Sequence, residues 1–218
     1  MRRTVLALCA AAFLAGCGGG DKPPATTATT AAAAGPCRTV QAPAPKGEQH
    51  LSKPTRTLKA GTRYTVELRT NCGAMTIRLA VSRAPKTTAS FADLVARGFY
   101  DGLTFHRVVR GFVIQGGDPT GTGMGGPGYS VVEPPPGNLA YTAGVVAMAK
   151  TEAEPSGASG SQFFIVTADD AQLPPDYALV GSLVQGMDVA QRISRVPVNA
   201  QDQPRSPVVI EKATLRTG

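Results

Sequence analysis

The chain has few of the residues from which metal centres and nucleic-acid surfaces are built. Among its 218 residues there are two histidines, four cysteines and no tryptophan. The cysteines and histidines lack the spacing of metal ligands, so we expect no metal site. The formal net charge is +7, but the basic residues are scattered and form no long run. Scattered charge of this kind is typical of a solvated surface, and we expect no nucleic-acid partner.

Aromatic residues are also scarce, at 6% of the sequence, whereas glycine and proline are abundant, with 25 and 18 residues. This composition argues against a helical bundle and favours a β protein with many loops. Hydrophobic residues make up 42% of the chain, which is enough for the packed core of one domain of ordinary size.

The N-terminus has the pattern of a leader that is removed on export. Arg2 and Arg3 precede a short apolar stretch that ends at Gly16, and this arrangement is typical of a secretory signal. The stretch is too short to cross a bilayer core of roughly 30 Å as a stable helix. Leu14 to Cys17 resembles a bacterial lipobox, in which cleavage precedes the cysteine and its sulfur takes a diacylglycerol. The alternative is an ordinary signal peptide followed by a chance cysteine.

We therefore expect a signal peptide over residues 1–16, a lipid on Cys17, and attachment to the membrane through that lipid. The protein would then reside in the cell envelope, at the extracytoplasmic face of the cell membrane. Residues 17–60 are rich in Ala, Thr and Pro and predict a flexible tether. The folded domain is expected over residues 61–218.

A disulfide is predicted between Cys37 and Cys72. Cys9 would leave with the leader and Cys17 would carry the lipid, so these two cysteines remain as a pair in an oxidising compartment. The bond would fasten the end of the tether to the first hairpin. In the chain-entropy account, closing a loop of this length stabilises the fold by roughly 3–4 kcal/mol.

The rest of the chain predicts strands and two short helices. Residues 62–70 and 74–81 alternate with period two around a turn, which predicts a hairpin with one buried face. A helix is expected from Ala84 to Gly98, and a second begins near Gly186. The apolar stripe of the first helix consists of Phe91, Leu94 and Val95. Further strands are predicted over 105–109, 112–114, 143–149, 161–167, 177–184 and 207–215. The fold class is therefore mainly β, and we expect a closed β-barrel capped by two α-helices.

Residues 121–126 satisfy the glycine pattern of dinucleotide-binding loops. Such a loop must lead into a helix, but Pro127 follows here, and then Pro134 to Pro136. Because no helix can begin on this sequence, we expect no nucleotide site. The segment instead predicts a glycine-rich surface loop that borders a cleft.

Three polar side chains, His106, Arg107 and Gln115, lie in two apolar strands that are joined by a tight bend at Arg110–Gly111. Burying a polar group without a partner costs roughly 1–3 kcal/mol, and an unpaired charge costs more. These groups therefore either satisfy one another or line a functional cleft. The alternative is an arginine that lies on the barrel surface in a salt bridge.

The same stretch resembles a known family. Residues 105–109 and 111–118 resemble the cyclophilins, the cyclosporin-type peptidyl-prolyl isomerases. Further matches follow in the family's order: 121–123, 126–129, 161–165, Gly181 and 184–189. The resemblance covers residues 62 to 217 and implies a closed eight-stranded antiparallel β-barrel with two capping helices. It also implies peptidyl-prolyl cis-trans isomerase activity without a cofactor.

The resemblance implies roles for individual residues. Arg107 would donate a hydrogen bond to the prolyl nitrogen, and Gln115 would orient it. The proline pocket would be formed by Phe112, Val113, Phe164 and Leu173, with His106 beside them. The residues that flank the proline would be held by Ala149, Lys150 and Gln162. His106 is assigned to the substrate lining and not to proton transfer, and proline-containing polypeptides are the expected partners.

Several positions depart from the family pattern. Lys150 stands where many members have Asn, but this contact is largely made by the backbone. Tyr177, at the substrate side, replaces a His that is common in animal enzymes. The loop 151–160 is longer than in animal members and carries Glu152 and Glu154, so we expect it to alter substrate preference.

The alternative function is a chaperone or scaffold of the cell envelope that holds proline-containing segments in the same groove. Binding alone would not require a guanidinium, so the presence of Arg107 together with Gln115 favours the enzyme. For the oligomeric state, a monomer is the default expectation.

Overall fold

The computed structural model describes residues 35–55 and 57–218. The predicted signal peptide over residues 1–16 and the predicted lipid attachment at Cys17 lie outside the described residues. Neither of the two helices in the described ranges is long and apolar enough to cross a membrane.

The structure contains short strands and two helices, close to the segments that the sequence predicts. The strands are β1 Tyr64–Thr70, β2 Gly73–Leu79, β3 Arg107–Val109, β4 Val113–Gly116, β5 Val131–Val132, β6 Val145–Met148, β7 Ala158–Ser159, β8 Phe163–Val166, β9 Leu179–Gln185 and β10 Ile210–Thr217. The helices are α1 Pro85–Ala96 and α2 Met187–Ile193. Strands β5 and β7 pair with each other in a small separate sheet, and both lie in segments that the sequence predicts as irregular loops.

The expectation of a closed barrel is wrong. The eight strands of the main sheet follow the order β10-β1-β2-β9-β6-β8-β4-β3, and β10 and β3 at its two ends do not pair with each other. The chain just before β3 makes an isolated bridge, Thr104 with Val209. The edge of β3 is occupied instead by a loop, because the Val108 N–H donates to the Asp202 carbonyl at 2.8 Å. The sheet is therefore an open half-barrel, antiparallel throughout.

The hairpin β1–β2 forms because its apolar residues alternate with polar ones. Val66 and Leu68 on β1, and Met75 and Ile77 on β2, are fully buried, and the ladder places Val66 opposite Ile77 and Leu68 opposite Met75. Period-two alternation sends these side chains to one face of the sheet. That face makes a large part of the main core.

Helix α1 closes one side of this core. It begins at Pro85, whose fixed φ suits the first turn and whose missing N–H costs nothing there. The predicted stripe is buried, with Phe91, Leu94 and Val95 all in the main core. The Phe91 ring meets Phe163 of β8 edge to face, with centroids 5.5 Å apart.

Strand β8 divides the apolar side chains between two clusters. Phe163 and Ile165 belong to the main core, whereas Phe164 and Val166 belong to a second, smaller cluster that includes Val113 of β4. Neighbouring residues on a strand point to opposite faces of the sheet. This second cluster underlies the candidate site described below.

The segment before β1 is held against the domain. Cys37 and Cys72 form the predicted disulfide, with the two sulfurs 2.04 Å apart. Beside the disulfide, the Arg38 N–H donates to the Asn71 carbonyl at 2.8 Å, and the Asn71 amide donates to the Arg38 carbonyl at 2.7 Å. We call residues 37–51 the strap. The strap is thus part of the same compact unit as the strands and helices.

Candidate active site

The site is built on the edge strand β3 and its neighbour β4. Arg107 on β3 and Gln115 on β4 are directly opposite each other in the antiparallel ladder. The guanidinium Nη1 lies 3.5 Å from the Gln115 Oε1, which accepts from it. The two polar groups that the sequence places among apolar residues therefore contact each other.

A second amide continues this contact into the domain. The Gln115 Nε2 donates to the Gln162 Oε1 at 3.0 Å. The Gln162 Nε2 in turn donates to the carbonyls of Gly123 and Gly125, both at 2.9 Å. Because carbonyls only accept, they fix which end of the Gln162 amide faces Gln115. Because the Gln115 Nε2 donates to Gln162, the Gln115 oxygen faces Arg107. We call the side chains of Arg107, Gln115 and Gln162 the relay.

The other side of the guanidinium meets a carboxylate. Asp202 Oδ2 lies 3.7 Å from the Arg107 Nη2, and both side chains are about two-fifths exposed. Ion pairs this open to water contribute little to stability. Arg107 is thus contacted on one side by Gln115 and on the other by Asp202.

A pocket of about 150 Å³, lined by six apolar or aromatic residues and three polar ones, opens beside the guanidinium. Its lining is Arg107, Phe112, Val113, Gln115, Ala149, Lys150, Phe164, Leu173 and Tyr177. The Phe164 and Tyr177 rings meet edge to face, with centroids 5.4 Å apart. A small apolar ring can thus be held here within reach of a cationic donor.

One wall of the pocket is fixed by a charged pair. The Lys150 Nζ lies 2.6 Å from the Asp176 Oδ2, and the lysine side chain is only 6% exposed. The hydrogen bond that Lys150 donates to the Asp176 carboxylate raises the pKa of Lys150, and the same contact lowers the pKa of Asp176. The ammonium also lies over the Tyr177 ring, 5.7 Å from its centroid. Lys150 therefore remains charged and fastened at the edge of the pocket.

A larger groove of about 530 Å³ adjoins the pocket. The two share Gln115, Ala149 and Lys150, and Gln162 lines only the groove. Its far wall is the glycine-rich loop, residues 119–129, which the sequence predicts to border a cleft. A chain that places a ring in the pocket can extend its flanking residues into this groove.

The sequence of the chain also matches a known protein family. The sequence model of the family described as cyclophilin type peptidyl-prolyl cis-trans isomerase matches residues 65–215. The chain belongs to this family. It is accordingly a cyclophilin-type peptidyl-prolyl cis-trans isomerase, an enzyme.

Isomerases from several organisms are similar to this chain in sequence or in structure. The peptidyl-prolyl cis-trans isomerase A of Mycobacterium tuberculosis is 39% identical over 168 residues, which cover 69% of this chain and 91% of that protein. The peptidyl-prolyl cis-trans isomerase-like 1 of Neurospora crassa is 41% identical over 154 residues, covering 69% of this chain and 93% of that protein. A cyclophilin-type isomerase from Cryptosporidium parvum superposes with a TM-score of 0.67 at 32% identity, covering 72% of this chain and 99% of that one.

The structure brings most of the predicted site residues of this cyclophilin together around the pocket and the groove, and His106 is the exception. His106 lines neither the pocket nor the groove. Within the part of the chain that the structure describes, neither of its ring nitrogens has a hydrogen-bond partner. Burial, only partly offset by the charge of Asp118, lowers the pKa of His106. The imidazole is therefore neutral near pH 7.

Sequence reasoning missed three residues that shape the site. Asp202 and Asp176 fasten Arg107 and Lys150, and no local pattern marks either of them. Asp118, 2% exposed, accepts hydrogen bonds from Thr120 and from the Gly123 N–H at the base of the glycine-rich loop. For Asp118, the sequence does contain an indication, which is an acidic residue directly before a glycine-rich segment.

Proposed function

We propose that this cyclophilin accelerates rotation about Xaa-Pro bonds by a hydrogen bond from Arg107 to the prolyl nitrogen of the twisted state. Rotation must overcome a barrier of about 18–20 kcal/mol, because amide resonance is broken on the way. Without a catalyst it takes about 10–100 s at 25 °C. In the twisted state the nitrogen lone pair is no longer delocalised, so it becomes an acceptor that the ground state lacks.

The observation that carries the proposal is the relay that ends on Arg107 beside the pocket. Its amide orientations are set by the carbonyls of Gly123 and Gly125, so the guanidinium is aimed before substrate arrives. A donor prepared in this way stabilises the transition state without reorganising during the reaction. Arginine suits the task because it stays charged and presents a rigid fork of donors.

The pocket supplies the second requirement, which is a dry place for the proline ring. Phe164 and Val113 belong to the smaller buried cluster, and Phe112, Leu173 and Tyr177 pack against it. The ring would rest on these side chains, while its flanking residues extend along Ala149, Lys150 and Gln162. His106 has no proton-transfer role in this scheme, since no bond to hydrogen is broken.

Proline-containing segments of proteins are the proposed substrates. One solved relative from Cryptosporidium parvum was studied in the presence of the dipeptide Ala-Pro, and it superposes on this chain with a TM-score of 0.66 at 32% identity, covering 71% of this chain and 99% of that one. An Ala-Pro unit matches a pocket for one small ring with a guanidinium at its edge.

Exchange spectroscopy by NMR on an Ala-Pro peptide tests the mechanism. We expect wild type to accelerate cis-trans exchange and Arg107→Ala to lose about 100- to 1,000-fold of that acceleration. Arg110→Ala is the control, because Arg110 is an exposed guanidinium that lines neither cavity. Equal rates for wild type and Arg107→Ala would refute the role of Arg107. Peptide binding without acceleration by wild type would instead support the alternative of an envelope chaperone or scaffold.

We further propose that the enzyme works on extracytoplasmic proteins while anchored by a lipid on Cys17. The lipobox-like residues Leu14 to Cys17 support this proposal, and so does the Cys37–Cys72 disulfide, which suits an oxidising compartment. Metabolic labelling with a fatty acid tests it. We expect label on wild type and on Cys9→Ser, and none on Cys17→Ser. Label that persists in Cys17→Ser would refute the anchor.

A further inference from the structure

The strap contacts the glycine-rich loop at both ends of that loop. The Lys46 N–H donates to the Pro119 carbonyl at 2.8 Å, and the Leu51 N–H donates to the Pro127 carbonyl, also at 2.8 Å. Next to the second contact the two backbones touch, since a Cβ added to Gly128 would lie 2.5 Å from the Gln49 carbonyl oxygen. The strap therefore fixes the loop through main-chain contacts.

Between these two anchor points lies the part of the loop that serves the active site. Gly123 and Gly125 follow Pro119 and precede Pro127, and their carbonyls hold the Gln162 amide. The same residues line the larger groove. A shift of the loop would thus move a groove wall and would also disturb Gln162 of the relay.

The strap is itself fixed to the barrel. The Cys37–Cys72 disulfide ties one end to the β1–β2 turn, and the Lys46 Nζ donates to the carbonyls of Phe99 and Gly98 at 2.8 and 3.1 Å. Leu51 packs against the main core. All of these strap residues precede the family match, which begins at residue 65. They therefore lie outside the part of the chain that the family model matches.

We propose that strap residues 46–51 are positioning residues for isomerisation, and that the disulfide keeps them in place. They hold the glycine-rich loop where it forms a wall of the groove and where its carbonyls orient Gln162, so that the residues flanking a bound proline keep their contacts. The inference rests on the proposed role of the groove in holding the residues that flank the proline. The two proposals fail in different ways: the proposed function fails if wild type is inactive, whereas this inference fails if wild type is active and the strap variants behave like it.

The test uses the full-length chain with Cys37→Ser and Cys72→Ser together. We expect KM for a proline peptide that extends into the groove to rise about three- to tenfold. This is the effect expected when the peptide loses about one hydrogen bond to the groove. Partial unfolding would lower only the concentration of active enzyme and hence the apparent kcat. A rise in KM is thus a readout that a merely structural role would not produce.

Hydrogen exchange provides a second measurement that does not depend on activity. In the double variant we expect faster amide exchange in residues 119–128 and unchanged exchange in β8, which lies in the core. Faster exchange in both regions would show a general stabiliser and overturn the proposal. Unchanged KM would also overturn it, whether or not the loop exchanges faster.

A matched pair of glycine variants tests the contact itself. Gly128→Ala places a methyl against the strap, whereas Gly121→Ala places one in open space, and both glycines have positive φ, +89° and +71°. The backbone strain of adding a side chain is thus similar in the two. We expect KM to rise in Gly128→Ala and to stay near the wild-type value in Gly121→Ala. Equal effects would contradict positioning by the strap.

Discussion

Arg107 and Gln115 face each other across the β3–β4 ladder, so the register of two strands brings the guanidinium within 3.5 Å of the amide oxygen. The tight bend at Arg110–Gly111 fixes that register. The bend therefore fixes the relative positions of the donor Arg107 and of Gln115, which orients it. The pairing of β3 with β4 thus stabilises the fold and positions the site at the same time.

The first prediction concerns the shape of the donor. Arg107→Lys keeps a positive charge but replaces a planar fork with a flexible point charge. Since the Gln115 oxygen and the prolyl nitrogen need donors in fixed directions, we expect kcat to fall by at least about tenfold. Steady-state kinetics with a proline peptide checks this. A lysine variant with wild-type kcat would show that charge alone is sufficient.

The second prediction separates Gln115 from a simple packing role. Gln115→Leu removes the acceptor but retains the bulk, so we expect kcat to fall about tenfold, the effect of losing one hydrogen bond to a charged group. KM should change less, because the pocket walls remain. The exposed Gln185 on β9 provides the control as Gln185→Leu. A rise in KM at constant kcat would contradict an aiming role.

The third prediction concerns the Lys150–Asp176 pair. Asp176→Asn removes the carboxylate that holds a nearly buried ammonium at the pocket edge. We expect Lys150 to shift and KM for proline peptides to rise about three- to tenfold, with a smaller change in kcat. Asp169→Asn, on an exposed position nearby, is the control. Identical KM values for both variants would contradict the structural role of the pair.

The sequence was a good guide to the parts of the site that depend on local patterns. Alternation predicted the β1–β2 hairpin. The apolar strands around Arg110–Gly111 predicted that Arg107 and Gln115 either satisfy each other or line a cleft, and the family resemblance implied that Gln115 orients Arg107. Barrel closure was not predictable in this way, because it depends on whether two strands about a hundred residues apart meet edge to edge. The loop at Asp202 occupies the β3 edge instead.

The contacts of the strap escaped prediction for a different reason. Lys46 and Leu51 bind through backbone N–H groups to the carbonyls of Pro119 and Pro127, and every residue except proline carries such a donor. Main-chain pairing between two irregular segments therefore leaves no pattern of side chains. The proline-rich composition of this region predicted a tether, whereas its backbone donors fasten it to the domain.

The fourth prediction concerns how α1 is capped. Ala84 at its N-cap provides no side-chain acceptor, but the Glu133 carboxylate accepts from the Lys86 and Thr87 N–H groups at 3.1 and 2.7 Å. A carboxylate there satisfies free donors and complements the helix dipole. We expect Glu133→Ala to lower the free energy of unfolding by about 1 kcal/mol in urea titrations. Glu152→Ala, on the exposed loop, should leave it unchanged.

The last prediction concerns the pH dependence of stability, which follows from His106. Its pKa is lowered in the folded state because burial disfavours the imidazolium, so the unfolded chain binds the proton more tightly. Stability is therefore fully present above the unfolded pKa of about 6.5, and it is lost as the pH falls towards the lowered pKa of the folded state. Asp118 does not contribute in this range. Although burial alone would raise its pKa, hydrogen bonds from Thr120 and Gly123 lower it below 3.8.

Urea titrations at pH 7.5, 6.5 and 5.5 measure this effect. We expect the free energy of unfolding of wild type to decrease between pH 6.5 and 5.5, and that decrease to be smaller in His106→Gln, since the variant has no imidazole to protonate at this buried position. His50→Gln is the control for the loss of a histidine, because it changes the other histidine of the chain at an exposed position. If His106→Gln kept the full wild-type slope, the loss of stability would have to come from another group.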